Sequence, residues 1–362
     1  MIYKFYQLLD EMDDLVLKTI VSSSQKPISV AGEHIDLTNN QYHICFYNIY
    51  HFGDIFFTQP FVKHICDSNP NVIFYYWLLQ GHAVYDGIPN LICLEHDNDI
   101  SSSISEKKNT TYYKFFYEEP QHFVRDLCTF DYRGKSFVAF NTWWSSLYYA
   151  EDMDYLFLLA GFKKKMLIFK KIFEISLNFD FDNHKMFPEL RMAPLTELFS
   201  EWISINDKKN LVFIYNYEPR YITFMPKKVL NGVICDICRS NPRVHIIVPQ
   251  YDAIFEDIEN ITCCDRDFGF IENRSCTNLL QIENILQYCR LVVTLPSGSS
   301  WTFMNKHISS YADKTAFYIW GDYTYYEKQL NNWYKYGTNK KDDIIQCVGI
   351  NNLNMLIRNF QY

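Results

Sequence analysis

The stretch Tyr288-Cys-Arg-Leu-Val-Val-Thr-Leu-Pro-Ser-Gly-Ser-Ser-Trp-Thr-Phe303 carries three signals in succession. Leu291 to Leu295 is a short aliphatic and β-branched run of the kind that forms a buried strand. Pro296 to Ser300 is a turn of small, hydroxyl-bearing residues, and Trp301 to His307 can continue as a helix. A strand ending in such a turn presents free backbone N–H groups and the positive end of a helix dipole above the sheet. That arrangement binds anions, phosphate foremost. Ser297, Ser299 and Ser300 add hydroxyl donors, and Gly298 permits close approach to the backbone. The same residues also suit an ordinary strand-to-helix turn with a serine N-cap, so the surrounding chain must decide.

Working outward, apolar strands alternate with helical patterns twice. Tyr42 to Tyr50, Asn71 to Leu79, Leu91 to Glu95 and Ser136 to Asn141 read as strands of a first half. A helix follows Pro60 through Phe61 to Cys66, and another spans Leu147 to Ala160. After a Pro-punctuated stretch, Asn178 to Pro194, the alternation restarts. Strands are expected at Asn210 to Tyr215, Val244 to Val248, Ile261 to Cys264, Leu291 to Leu295, Thr315 to Trp320 and Asp343 to Val348. Helices are expected at Leu195 to Ile205, Lys227 to Cys238, Asp252 to Ile258, Leu279 to Tyr288 and Leu353 to Phe360. Near-continuous apolar strands alternating with helices imply parallel sheets covered on both faces. The expected organisation is a helical extension over 1–38, a Rossmann-like unit over 39–177, a linker over 178–194, a second Rossmann-like unit over 195–345, and a closing strand and helix over 346–362. Ligands of such sheets bind on loops beyond the carboxyl ends of the strands, here in a cleft between the two units. Three loops answer that description: Gly53-Asp54, Asn216 to Arg220, and Pro296 to Ser300.

The bulk properties fit this α/β reading. The chain has 362 residues, 48% hydrophobic and 21% charged, with a net charge of −8. That length suits two domains, and that charge argues against a nucleic-acid partner. Aromatics reach 18%, most of which a core can absorb; Trp143 and Trp144, after a first-half strand, also suit stacking on a sugar. No apolar run of about 18 residues and no signal-peptide pattern is present, which predicts a cytoplasmic protein. The 11 cysteines form no framework, and Cys235 and Cys238 read as core thiols on one helix face. Five lysines between Lys163 and Lys171 flank an apolar core. An edge strand with solvated lysines is the favoured reading, and peripheral contact with an anionic membrane is the other.

The segment Gly53-Asp54-Ile-Phe-Phe-Thr-Gln-Pro60 resembles the glycine-aspartate-to-proline signature that opens the ADP-heptose:lipopolysaccharide heptosyltransferases, which are GT-B glycosyltransferases. The helix-strand-turn from Asn278 to Trp301 resembles their donor-site segment, and Leu156 to Phe162 resembles the leucine-rich helix closing their first domain. The resemblance implies a GT-B-like fold, two Rossmann-like domains facing each other across a cleft. It implies a glycosyltransferase taking a sugar from a nucleotide-sugar donor to a hydroxyl of a glycan or glycolipid acceptor. Asp54 would be the general base. Ser297 and Gly298, with Ser299 and Ser300, would hold the diphosphate, aided by Arg220 and Lys227. Gly53, His51, Trp143 and Trp144 would lie on the acceptor side. Glu218 or Glu272 would hold the ribose.

Two positions depart from the family pattern. Pro296 stands where the family has an acidic residue, and Trp301 stands where it has a histidine. They leave open a non-catalytic binder of glycans or nucleotides, and a nucleotide-sugar epimerase fits the same plan. No metal or other cofactor is called for in this reading. Among the Asp-x-Asp pairs, only Asp265-Arg-Asp267 is placed to hold a metal-diphosphate.

Overall fold

The computed structural model describes residues 42–48, 52–94, 112–113, 127–142, 166, 176–180, 188, 190–191, 193–206, 210–216, 227–270, 277–294, 315–319, 346–349 and 353–359. They form two sheets. The first contains β1 (Tyr42–Asn48), β2 (Phe74–Leu78), β3 (Leu91–Leu94), β4 (Tyr112–Tyr113), β5 (Leu127–Tyr132) and β6 (Lys135–Asn141), in the order 3-2-1-6-5-4. Helix α1 (Phe52–Ser68) connects β1 to β2, and a 3-10 turn at His82–Tyr85 connects β2 to β3. The second sheet contains β7 (Asn210–Ile214), β8 (Val244–Val248), β9 (Ile261–Cys263), β10 (Leu291–Thr294), β11 (Thr315–Ile319) and β12 (Gln346–Gly349), in the order 12-11-10-7-8-9. Its helices are α2 (Glu197–Asn206), α3 (Lys227–Ser240), α4 (Cys264–Asp267), α5 (Thr277–Leu286) and α6 (Leu353–Asn359), with a 3-10 turn at Ala253–Phe255. The layout is GT-B-like, two doubly wound α/β units in one chain.

The second sheet is parallel throughout, as its apolar strands require. The first is not. Strands β3, β2, β1 and β6 run parallel, but β5 and β4 are antiparallel additions. The sequence reading missed both strands. Arg133 and Gly134 form the two-residue link from β5 to β6 with φ of 49° and 74°, as a tight hairpin matched to strand twist demands.

Helix α1 is the second correction. Gly53-Asp54, expected in a loop, belongs to its first turn, and the helix runs through Pro60. Asp54 therefore stands inside the helix rather than capping it. Proline removes one backbone bond and crowds the preceding turn. Side chains engage the backbone there: Tyr85 Oη donates to Ile55 O at 2.8 Å and Thr58 Oγ1 to the same oxygen at 3.1 Å. The third correction concerns the lysine-flanked run. Met166, its one described residue, is helical and buried, not part of an edge strand. Described stretches between Leu177 and Pro194 are irregular, but Leu177, Leu190 and Ala193 are buried. The helical extension expected over 1–38 and the helix expected over 147–160 lie outside the described residues.

Both faces of the first sheet are covered. Phe46, Tyr76 and Val138 join the main core with α1, while Cys45, Tyr47, Tyr75, Trp77, Phe137 and Ala139 form a separate cluster on the opposite face. Truncating a fully buried phenylalanine such as Phe46 to alanine would cost about 3–5 kcal/mol. The halves touch: α5 packs against the His82–Tyr85 turn, and Asn284 Nδ2 donates to Ala193 O at 3.0 Å.

The two halves also repeat in sequence and bonding. Cys66-Asp-Ser-Asn-Pro-Asn-Val72 corresponds to Cys238-Arg-Ser-Asn-Pro-Arg-Val244, and Ala83-Val-Tyr-Asp-Gly-Ile-Pro-Asn90 to Ala253-Ile-Phe-Glu-Asp-Ile-Glu-Asn260. Asn69 Nδ2 caps α1 at Ile65 O (2.7 Å), as Asn241 Nδ2 caps α3 at Ile237 O (2.8 Å). Asn90 Nδ2 reaches the carbonyls of Cys66, Asn69 and Val72 at 2.9–3.0 Å. Asn260 Nδ2 reaches those of Cys238, Asn241 and Val244 at 2.8–3.4 Å. The two blocks are spaced two residues wider in the first half, so no fixed period reveals them.

Candidate functional site

Strand order locates the ligand ends of both sheets. From β1 the chain winds outward to β2 and β3, then returns to β1's other side as β6. From β7 it winds to β8 and β9, then returns as β10. Each reversal opens a crevice at the carboxyl ends of the two strands that flank it. The segments leaving those four strands are residues 49–54, 142–144, 215–226 and 295–300. His51, Gly53 and Asp54 lie on the first, Trp143 and Trp144 on the second, Arg220 on the third, and Ser297, Gly298, Ser299 and Ser300 on the fourth. Lys227 opens α3 directly after the third. Of these, Gly53 is buried in α1, Asp54 occupies its first turn, and Lys227 is half-buried. His51, Trp143, Trp144, Arg220 and the Pro296–Ser300 turn lie outside the described residues, as do Glu218 and Glu272.

At the first reversal the described side chains that bond one another are neutral. Asn48, the last residue of β1, donates from Nδ2 to Thr142 Oγ1 at 3.3 Å, and Thr142 Oγ1 shares a 2.6 Å hydrogen bond with Tyr76 Oη. Tyr76, Tyr85 and Thr58 complete a hydroxyl cluster, with Thr58 Oγ1 and Tyr85 Oη 3.0 Å apart. Burial pushes the Tyr76 hydroxyl up to about 12 despite its three hydroxyl partners, and pushes Tyr85 well above the usual phenol value. The cluster therefore stays protonated and links Ile55, one residue past Asp54, to Thr142, one residue before Trp143.

The second reversal is built from amides and charges. Asn216 is fully buried just past β7; its Nδ2 donates to Gln250 O at 2.8 Å and its Oδ1 accepts from Gln250 N at 3.0 Å. Asn231 joins Asn216 (3.3 Å) to Asp252 (2.8 Å). Lys227 Nζ donates to Gln250 Oε1 at 2.7 Å. Tyr215 N bonds Val293 O at 2.8 Å, which ties this network to β10. Thr294, closing β10, is fully buried, and its hydroxyl has no hydrogen-bond partner among the described residues, an exception among buried polar groups.

Other candidates are structural. Asp265 accepts Tyr251 N on both oxygens, at 2.8 and 3.0 Å. Asp267 accepts Cys263 N at 2.7 Å and pairs with Arg266 at 2.6 Å. These carboxylates fasten a turn, and among the described residues no group of three or more His, Cys, Asp or Glu could hold a metal ion. Cys235 and Cys238 are core residues as expected. Burial raises Cys93, Cys238 and Cys263 to about 12, and raises Cys66, Cys235 and Cys264 also, so none of these six is a ready thiolate nucleophile. Sequence reading missed Asn216's clamp, Gln250 and the Tyr76–Tyr85 cluster, whose partners lie far apart in the chain.

Among solved structures the chain is similar to a glycosyl transferase family 9 protein from Veillonella parvula, at 11% identity and a TM-score of 0.40, over 91% of this chain and 90% of that one. It is similar to the E. coli heptosyltransferase WaaC solved with ADP, at 11% identity and a TM-score of 0.38, over 88% of this chain and 99% of that one. E. coli ADP-heptose lps heptosyltransferase II matches at 9% identity and a TM-score of 0.40, over 88% and 100%. These likenesses concern chain layout and assign no residue a role. No family model and no curated protein sequence matches. Among the described residues, no helix is long and apolar enough to cross a membrane.

Proposed function

We propose that the protein is a glycosyltransferase that moves a sugar from a nucleotide-sugar donor to a hydroxyl of a glycan or glycolipid. The observation that carries this reading is topological. Apart from Glu272, the site residues singled out in the sequence fall on the exits of the four strands that bound the two chain reversals, or, for Lys227, on the helix that the third exit opens. In this reading Asp54 is the general base, backed by the neutral hydroxyl cluster beneath α1. The acceptor oxygen attacks the anomeric carbon, its proton passes to the Asp54 carboxylate, and the bond from that carbon to the diphosphate oxygen breaks. The diphosphate leaves with its negative charge held by the Ser297-Gly298 turn, Ser299, Ser300, Arg220 and Lys227. Gly53, His51, Trp143 and Trp144 meet the acceptor. No metal takes part in these steps. The acceptor-side unit corresponds to residues 39–177, and the donor-side unit begins at residue 195 and takes in β12 and α6.

A thermal-shift panel of nucleotides and nucleotide-sugars identifies the donor, since a specific ligand raises the melting temperature of the fold it binds. With that donor, Asp54→Ala should lower transfer by about 10²–10⁴-fold while nucleotide binding persists. Unchanged turnover would remove Asp54 as the base. Pro296 and Trp301 favour a second reading, a non-catalytic binder; it predicts a nucleotide-dependent shift in melting temperature and no transfer from any donor.

A further inference from the structure

The repeat separates what the scaffold needs from what a ligand needs. Both halves keep the asparagine brackets, and both keep a glutamine three residues before the 3-10 turn's alanine, Gln80 and Gln250. What differs is the position thirteen residues before the Ser-Asn-Pro corner. In the first half it is Ile55, fully buried; in the second it is Lys227. The bracket folds without a lysine there.

Lys227 is also placed against electrostatic preference. It opens a 14-residue helix, next to Lys228, with no carboxylate in the first turn. Cations at the positive end of a helix dipole are unfavourable. Its partner among the described residues is a neutral amide oxygen, Gln250 Oε1 at 2.7 Å. The carboxylate near it, Asp252, is engaged elsewhere: Oδ2 by Asn231 at 2.8 Å and Oδ1 by Ile254 N at 3.1 Å. So the ammonium is held in place by a neutral amide, with no ion pair to it among the described residues. Gln250 can hold it because its own backbone is clamped on both sides by buried Asn216, beside the strand that ends at Thr294.

We infer that Gln250 is a positioning residue: it aims the Lys227 ammonium at the anionic diphosphate of the ligand at the second chain reversal. This rests on the diphosphate reading given above. Gln250 touches no reacting atom and acts through Lys227 alone.

The test is a double-mutant cycle on the full chain, read by calorimetric titration with ADP, UDP and inorganic pyrophosphate at two salt concentrations. Wild type should bind at least one of them. Lys227→Met should weaken that binding about tenfold to thirtyfold, and Gln250→Met about fivefold to tenfold. Both should flatten its salt dependence, because a charge contact is lost or displaced. The double variant should be no weaker than Lys227→Met, since a residue acting only through Lys227 has nothing left to do once it is gone. Should Gln250→Met fail to fold, Gln250→Asn, whose shorter amide falls short of Nζ, replaces it with the same expectation. Losses that multiply in the double variant, or wild-type affinity in the Gln250 variant, overturn the inference. Wild-type binding that Lys227→Met leaves unchanged overturns it too, but spares the diphosphate reading. No binding of any of the three by wild type overturns both.

Discussion

The two halves hold the same brackets and end in opposite chemistry. Behind the first reversal lies a sealed cluster of neutral hydroxyls, Thr58, Tyr76, Tyr85 and Thr142. Behind the second lies a set of amides, buried Asn216 and Asn231 and half-buried Gln250, ending in a lysine and an aspartate, Lys227 and Asp252. A neutral cluster fixes a helix turn without adding charge, which in the proposed function suits a side that keeps a carboxylate basic. The amide set presents a cation, which in the same proposal suits a side that receives an anion. The scaffold common to both is thus separable from the chemistry that distinguishes them.

The sharpest way to break the comparison is to cut the brackets. Asn90→Ala and Asn260→Ala each remove one amide that serves three carbonyls. Each should cost about 2–3 kcal/mol in urea-melt stability, and the two costs should agree. A large cost on one side alone would show that the repeat is one of sequence and not of load.

A reciprocal swap probes the hydroxyl cluster next. Tyr85 and Phe255 occupy the same place in the two 3-10 turns, both buried. Tyr85→Phe strips a donor from Ile55 O and leaves Thr58 and Tyr76 short of a partner, at about 1–2 kcal/mol. Phe255→Tyr adds a hydroxyl that the second half has no cluster to receive, and should destabilise by a similar amount. A neutral Tyr85→Phe would mean the cluster is incidental.

The β5–β6 hairpin, which has no counterpart among the described residues of the second sheet, gives a smaller effect. Gly134 sits at φ 74°, with open space where an added methyl group would point, so Gly134→Ala should cost about 1 kcal/mol from backbone strain alone. No such loss should follow from Gly232→Ala, a helical position with equally open space, where alanine is the better helix former.

How much of this the sequence disclosed follows from range. Apolar runs such as Val244–Val248 and Asn210–Ile214 declare buried strands locally, and the observed bounds agree closely. The β5–β6 hairpin was hidden because Arg133-Gly134 is not among the common turn dipeptides and Leu127–Tyr132 mixes polar with apolar residues. The start of α1 was hidden because Gly53 and Pro60 both signal a break, and the side chains that engage Ile55 O come from Thr58 and distant Tyr85. As candidates, Asp54 and the Ser297-Gly298 turn stand out as short motifs after strands, and their roles belong to the proposal. Gln250 was not, because its value depends on Asn216 and Lys227, and only folding brings the three together.

The smallest expected effect concerns Asp252, the carboxylate near Lys227 that is hydrogen-bonded elsewhere. Asp252 is held below its ordinary value of 3.8, first by the Ile254 N–H, then by Asn231, with Lys227 and Lys228 adding attraction. A lowered carboxyl means the folded chain binds fewer protons than the unfolded chain in the window just below pH 3.8, so stability rises with pH there. The contribution is fully present above the unfolded value and is lost as pH falls through the folded one. Asp252→Asn keeps a side-chain oxygen for Ile254 but removes the titration. Its urea midpoint should therefore fall less steeply than wild type between about pH 5 and pH 3. Lys227→Met should reduce the same slope only slightly, because the lysine ranks behind the two hydrogen bonds. A slope that Lys227→Met abolishes would mean that Asp252 is the lysine's true partner, and that the second half presents an internal ion pair where its counterpart presents hydroxyls.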